Sequence, residues 1–258
     1  MGAPQRRLMM GGALAWNPLS LSPSLYLSAD SGITKDGSNL VSQWDDISTN
    51  ARNLTQGTAA AKPLWVDSVI NGNPVIRFDG TDDVMVNVSA TGIDNCTLFL
   101  LGKYTASAGE DLSFSVGCVG SLYRMRGFYS GFPVFPNITF SDFGEGAFST
   151  IPYDVTGFHL FEIVQSGKNV KINRDGDTQQ SFTLSNAPAT TGNDANCGWQ
   201  IGGAVGAAYW TAIDVVDALV FNSALSDENR QKVEGSILHG RGLSSLLPVG
   251  HPYKASPP

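Results

Sequence analysis

Apolar positions along this chain come in short runs, many alternating with polar ones, and turn signals separate the runs. That pattern predicts strands, because successive side chains of a strand point to opposite faces. The central run is Val75-Ile76-Arg77-Phe78, bracketed by Asn71-Gly72 and Asp79-Gly80. Tight-turn residues on both sides predict a short strand in the middle of a sheet. Val84, Met85, Val86 and Val88 resume an apolar strand just beyond it. Further strands are predicted at 25–27, 40–44, 158–164 and 213–221. Residues 97–101, Thr-Leu-Phe-Leu-Leu, are continuously apolar and predict a core strand covered on both faces. Two hairpins are predicted, one turning at Gly120-Ser121 and one at Asp175-Gly176. Residues 48–62 and 185–198 read as loops. Residues 129–153, rich in Gly, Pro, Phe and Ser, read as a long surface excursion of the kind that carries binding.

One helix interrupts this pattern. Ser226 is a good N-cap, with Asp227 and Glu228 in the first turn where the helix dipole favours anions. Leu225, Val233, Ile237 and Leu238 supply an apolar stripe, and Gly240 and Gly242 stop it. Four prolines in the closing residues predict an extended tail over 244–258.

Composition narrows the class. In 258 residues, 29 Gly and 13 Pro against 15% charged side chains favour many turns and few surface helices. A net charge of −7 with no basic stripe excludes a nucleic-acid partner. No stretch reaches the roughly 18 to 20 apolar residues of a membrane span, so a soluble chain is expected. Arg6 and Arg7 precede Leu8, Met9, Met10, Leu14 and Trp16, but the apolar run is short and broken by Gly. It reads as a sticky docking arm, with residues 1–23 forming arm and linker, and not as a signal peptide. Cys96, Cys118 and Cys197 are odd in number and widely spaced, which suggests neither a zinc ribbon nor a disulfide framework. They read as small buried thiols, with a pairing such as Cys96 to Cys118 left open.

The order of these signals resembles the laminin G-like, concanavalin A-like jelly-roll domains of bacteriophage virion proteins and some bacterial surface proteins. The residues that carry it include Leu25 to Asp30, Gln43-Trp44-Asp45-Asp46, Asn53 to Gln56, Asn71 through Gly80, Ile201-Gly202-Gly203, and Ala224-Leu225-Ser226 with Arg230. The closing 247–254 also fits. Two positions depart from the family's pattern: the helix runs into Gly240-Arg241-Gly242-Leu243, and Asp217 stands where the last strand often has Glu. The resemblance implies an all-β, two-sheet antiparallel jelly-roll sandwich over 24–243 with one short C-terminal helix. It does not fix a ligand, since this fold hosts lectins, glycosidases and structural modules.

Candidate chemistry is sparse. Glycoside hydrolysis needs two carboxylates about 5 to 10 Å apart on one face, but Glu110, Glu145, Glu162, Glu228 and Glu234 form no Glu-x-Asp-x-Glu run. Asp79, Asp82 and Asp83, with Asp45 and Asp46 near the same rim, offer the oxygens that calcium takes. Asp in such turns also bonds local backbone, so no obligatory cofactor is implied. Sugar stacking would fall to Tyr209, Trp210 and Trp199. His159, His239 and His251 have no metal-ligand spacing and read as ordinary polar residues. The reading that the resemblance implies, with the arm and the Pro-rich tail suited to docking, is a non-enzymatic structural protein of a tailed-phage virion. It would be a homo-oligomer on the virion surface, held through its arm to partners such as the major capsid protein. The alternative is a secreted or cell-surface lectin or adhesin contacting host glycans, and the third is a glycoside hydrolase.

Overall fold

In a computed structural model, which describes residues 16–87, 95–106, 111–118, 126–130, 137–142, 148–152, 157–184, 197–203 and 209–258, the alternating runs become seventeen strands among the described residues. In chain order they are β1 (Leu25–Ser28), β2 (Ile33–Lys35), β3 (Val41–Trp44), β4 (Leu54–Thr55), β5 (Leu64–Ile70) and β6 (Asn73–Asp79). Next come β7 (Met85–Asn87), β8 (Cys96–Ala106), β9 (Asp111–Cys118), β10 (Arg126–Ser130), β11 (Asn137–Asp142) and β12 (Phe148–Pro152). The last are β13 (His159–Ser166), β14 (Asn169–Arg174), β15 (Gln180–Thr183), β16 (Cys197–Ile201) and β17 (Ala212–Phe221). Helix α1 spans Asp227–Gly240.

Two antiparallel sheets result. The first runs β15-β14-β13-β8-β17-β6-β5, and the second runs β12-β11-β10-β9-β16-β7-β4-β3-β2. β8 pairs along β17 on one side, so β6 and β1 share the other, β6 over 212–215 and β1 over 217–220. Between the sheets lie Trp44, Phe78, Leu98, Leu100, Phe114, Phe161, Trp199 and Ile213, all fully buried. The outer face of the first sheet buries Val75, Phe99, Leu101, Leu160 and Leu219 against Val233, Ile237 and Leu238 of α1. β8 is therefore covered on both faces, as its unbroken apolar run predicts. Each such side chain contributes roughly 1.5–3 kcal/mol by leaving water. The β5–β6 hairpin turns at Asn71 (φ 48°) and Gly72 (φ 79°), and the 174–177 turn uses Asp175 (φ 57°) and Gly176 (φ 76°). Two consecutive positive φ angles are what a two-residue hairpin turn demands, and Asn, Asp and Gly tolerate them.

Three expectations change. The described residues of 129–153 are not irregular; β10, β11 and β12 continue the second sheet as an antiparallel meander. Ile138 and Phe140 do alternate with polar neighbours, but the strands are short and set among Gly and Pro, so composition hid the period. The predicted loop 48–62 contains β4, and β2 was not foreseen. The tail is folded back over α1 instead of extended: His239 Nε2 lies 2.8 Å from the carbonyl of Tyr253, and Lys254 Nζ donates to the carbonyls of Ser245 (2.7 Å) and Ser244 (3.3 Å). Proline fixes φ but does not forbid turns, so four prolines do not by themselves make a tail extended. At the other end, Arg6, Arg7, Leu8, Met9, Met10 and Leu14 lie outside the described residues. Trp16 and Leu21 pack on the helix-side cluster, and Ser236 Oγ donates to the carbonyl of Trp16 at 3.5 Å.

Candidate functional site

The outer face of the first sheet is where polar chemistry collects. Alternation in β13 turns Phe161 and Ile163 inward, which places Glu162 and Val164 outward beneath α1. The register sets Glu162 opposite Asn173, Val164 opposite Lys171, and Ser166 opposite Asn169. From above, α1 brings Arg230 and Glu234 one turn apart on the face that meets the sheet.

Glu162 and Glu234 are almost wholly buried, at 1% and 0% exposure. Arg230 Nη1 lies 3.5 Å from Glu162 Oε2 and also bonds Glu234 Oε1, while His251 Nε2 sits 2.9 Å from Glu234 Oε2. Gln179 Nε2 donates to Glu162 Oε1 at 3.1 Å. Burial, followed by the charge of Glu234, pushes the Glu162 carboxyl well above the usual range. Burial acts on Glu234 in the same direction. The hydrogen bonds from His251 and Glu162 and the Arg230 charge outweigh it, and Glu234 is held below its usual range. Of the two, Glu162 is pushed toward its protonated form and Glu234 toward its ionised form. In a glycosidase such a division would suit an acid and a base, but here the two carboxyls hydrogen-bond each other and are sealed from solvent. As arranged, they hold α1 on the sheet.

Beside this network lies a recess of about 150 Å³ between β13, β14 and the residues leading into α1. At about 30 Å³ per water it has room for roughly five waters, the scale of a single sugar ring. Val164, Ala224 and Leu225 supply apolar lining, and Ser166, Asn169, Lys171, Gln179 and Asp227 supply hydroxyl, amide, ammonium and carboxylate groups. Gln179 belongs to both the recess and the buried network. Sequence reasoning missed this constellation. The only signals were Glu162 inside an apolar strand and an Arg230/Glu234 pair four apart on the helix.

The residues singled out from sequence fall elsewhere. Asp79, Asp82 and Asp83 do come together, their carboxylate oxygens within 4.8 Å of one another. Asp79 Oδ1 accepts from the amides of Thr81 (2.8 Å) and Asp82 (3.4 Å), and Asp83 Oδ2 accepts from the amide of Asp79 (2.9 Å). At one oxygen each, the three carboxylates would supply three of the six to eight oxygens calcium takes. Asp45 and Asp46 do not join them among the described residues. Asp46 bonds the amides of Tyr26, Ser48 and Arg52, and Asp45 Oδ1 accepts from Gln43 Nε2.

Trp199 is fully buried between the sheets, with the Arg52 guanidinium 5.6 Å from its ring, so its faces are not open to a sugar. Tyr209 and Trp210 are half-buried at the end leading into β17. The Trp210 indole lies so close over Gly203 that a β-carbon there would sit 2.2 Å from it. Asp214 and Asp217 are clamped: Arg77 takes the first at 2.7 and 2.8 Å, and Arg241 takes the second at 2.7 Å with both Nε and Nη2.

With fold and site in place, likeness to known structures can be stated. Trypanosoma rangeli sialidase in complex with sialic acid is similar over 83% of this chain, with a TM-score of 0.54 and 13% identity. An arabinofuranosidase complexed with arabinofuranosyl-alpha-1,2-xylobiose is similar over 78%, at 0.55 and 13%. A GH54 α-L-arabinofuranosidase soaked with a cyclic sulfate inhibitor gives 0.56 at 14% over the same share. It is a sandwich that glycoside hydrolases also carry. The chain spans 32% of the sialidase and 51% of the arabinofuranosidases, so the likeness is to part of each. No family model and no curated protein matches the chain.

These neighbours bear out the concanavalin A-like sandwich and correct the function expected from sequence. The three neighbours described are a sialidase and arabinofuranosidases, and none of them is a virion protein. The virion expectation rested on the order of weak motifs, on the arm and on the Pro-rich tail, none of which carries chemistry of its own.

Proposed function

We propose that this chain is a carbohydrate-recognising β-sandwich of the type built into glycoside hydrolases, and that it engages a sugar ring in the recess beside α1. The observation that carries this is the recess itself. Amide, hydroxyl, ammonium and carboxylate groups stand around an apolar lining of ring size, on a fold whose solved relatives act on glycans. Asn169 and Lys171 reach it from β14, and Asp227 reaches it from the first turn of α1. Donors and acceptors of both kinds suit a polyhydroxylated ligand, and the aliphatic side chains suit its C–H face.

Calorimetric titration with sialic acid and with arabinofuranosyl xylo-oligosaccharides tests the reading. Saturable binding with Kd near 1 mM, about −4 kcal/mol, is expected for one ring in one recess. Asn169→Ala and Lys171→Ala should each weaken it by roughly fivefold, about 1 kcal/mol for a lost hydrogen bond. Loss of binding with Trp210→Ala while Lys171→Ala is silent would move the site to the 209–210 edge. Flat titrations across both glycan classes would reject carbohydrate recognition. Turnover of 4-nitrophenyl α-L-arabinofuranoside, followed in parallel, would make the chain a hydrolase in its own right.

A further inference from the structure

The register of the second sheet brings together two cysteines that lie far apart in sequence. Cys118 is the last residue of β9 and Cys197 the first of β16, and the antiparallel pairing sets them directly opposite each other. We propose that Cys118 and Cys197 form a cross-strand disulfide that locks β9 to β16 at the end of their ladder.

Directly opposed residues of an antiparallel pair have Cα atoms about 4.5–5.5 Å apart and project to the same face. A disulfide spans Cα separations of about 4.4–6.8 Å, so the register meets its first requirement. Cβ atoms in opposed pairs lie about 4.5–5.5 Å apart against roughly 3.8 Å in a disulfide, so closure draws the strands together by about an ångström. Two features ease that approach. The pair terminates both strands, and the neighbouring rung is Gly117 opposite Gly198, the most pliant backbone available. The third cysteine, Cys96, belongs to β8 in the other sheet, is fully buried, and has its Sγ 3.9 Å from Gln165 Oε1.

The bond forms by exchange with a low-molecular-weight disulfide such as oxidised glutathione. One cysteine thiolate attacks a donor sulfur, a mixed disulfide forms, and one donor thiolate leaves. The second cysteine thiolate then attacks the protein-bound sulfur and expels the other donor thiolate. The two protein sulfurs are oxidised, the donor disulfide is reduced to two thiols, and the two protons lost by the cysteines end on those thiols. The crosslink closes a covalent loop around residues 119–196, which carry β10 through β15, and so ties an excursion that serves both sheets to the centre of the second.

The test is to equilibrate the purified folded chain with oxidised glutathione, quench with acid, and titrate thiols in guanidinium beside a non-reducing peptide map. Of the three cysteines, one thiol is expected to remain, with the peptides of Cys118 and Cys197 joined and Cys96 unmodified. The oxidised protein should melt roughly 5–10 °C above the reduced one. The Cys96→Ser variant should give the same linked peptides and Cys118→Ser none. Three remaining thiols, stable glutathione adducts on Cys118 and Cys197, or a link that includes Cys96 would each overturn the proposal. The wild-type map decides this even where a variant folds poorly.

Discussion

At the scale of single residues, Asp83 carries a readable pH signal. Burial pushes its carboxyl up to about 6; the Asp79 amide opposes this and the neighbouring Asp79 and Asp82 charges add to it. The folded state therefore holds a proton that the unfolded chain releases near pH 4, and stability falls as pH rises from about 4 to about 6. Two units at about 1.36 kcal/mol each would give nearly 3 kcal/mol, and solvent screening at this rim reduces it to roughly 1 kcal/mol. Asp83→Asn keeps an oxygen for the Asp79 amide and should flatten that fall, as urea melts at pH 4, 5, 6 and 7 would report. Arg241 shows the opposite case. Burial works against its charge, but Asp217 and Asp30 outweigh it and hold the guanidinium above its ordinary range, with Asn73 and Ser28 also bonded. Arg241→Met leaves Asp217 charged at 1% exposure and should cost about 3–5 kcal/mol. Adding Asp217→Asn should recover at least about 1 kcal/mol of that by removing the stranded charge. The turn-forming roles of Asp79 and Asp83 were legible in sequence because their partners lie within a few residues. The partners of Asp217 and Glu162 were not, since Arg241 arrives from just past the end of α1 and Arg230 from within it, distant along the chain.

Among elements, α1 is the part whose sequence and structure agree most closely and whose function is least visible from sequence. Ser226 Oγ accepts from the Asn229 amide at 3.4 Å, Asp227 and Glu228 occupy the first turn, and the helix ends at Gly240, all as its residues predict. What it does depends on the sheet beneath it. Glu162 is pushed toward its protonated form and Glu234 toward its ionised form, so the two glutamates should respond differently to the same substitution. Glu162→Gln keeps a donor for Glu234 and an acceptor for Gln179, and should change stability by no more than about 0.5 kcal/mol at pH 7. Glu234→Gln removes the charge that Arg230 and His251 face, and should cost roughly 2–4 kcal/mol. Guanidinium midpoints at an unchanged slope separate the two. The reverse order of losses would show that the shared proton lies on the other carboxyl. The helix stripe was readable because its period is local; the recess needed β13, β14 and the approach to α1 to be set side by side.

For the whole molecule, the C-terminal tail belongs to the folded unit. His251 is buried against Glu234, and Leu247 joins the helix-side core. A chain ending at Leu247 loses His251, one of the partners of Glu234, and at about 3 kcal/mol and 2–4 °C per kcal/mol it should melt roughly 10 °C lower, still in one transition. A second, separate transition by calorimetry would mean that the tail and helix fold apart from the sandwich. The sequence by itself determined the class of fold: short alternating runs, paired Asn-Gly and Asp-Gly turns, one capped helix and a both-faces-buried β8 are properties of neighbouring residues, and neighbours suffice to read them. Only the tertiary structure decided which face became chemical. Glu162, Arg230, Glu234 and His251 meet because sheet register, helix docking and a folded-back tail converge. Lys171 and Asp227 meet across the recess for the same reason, and Cys118 faces Cys197 because β16 returns to β9 after the chain has built six other strands. Such contacts are fixed by the burial of a common core, a long-range effect that no local period encodes.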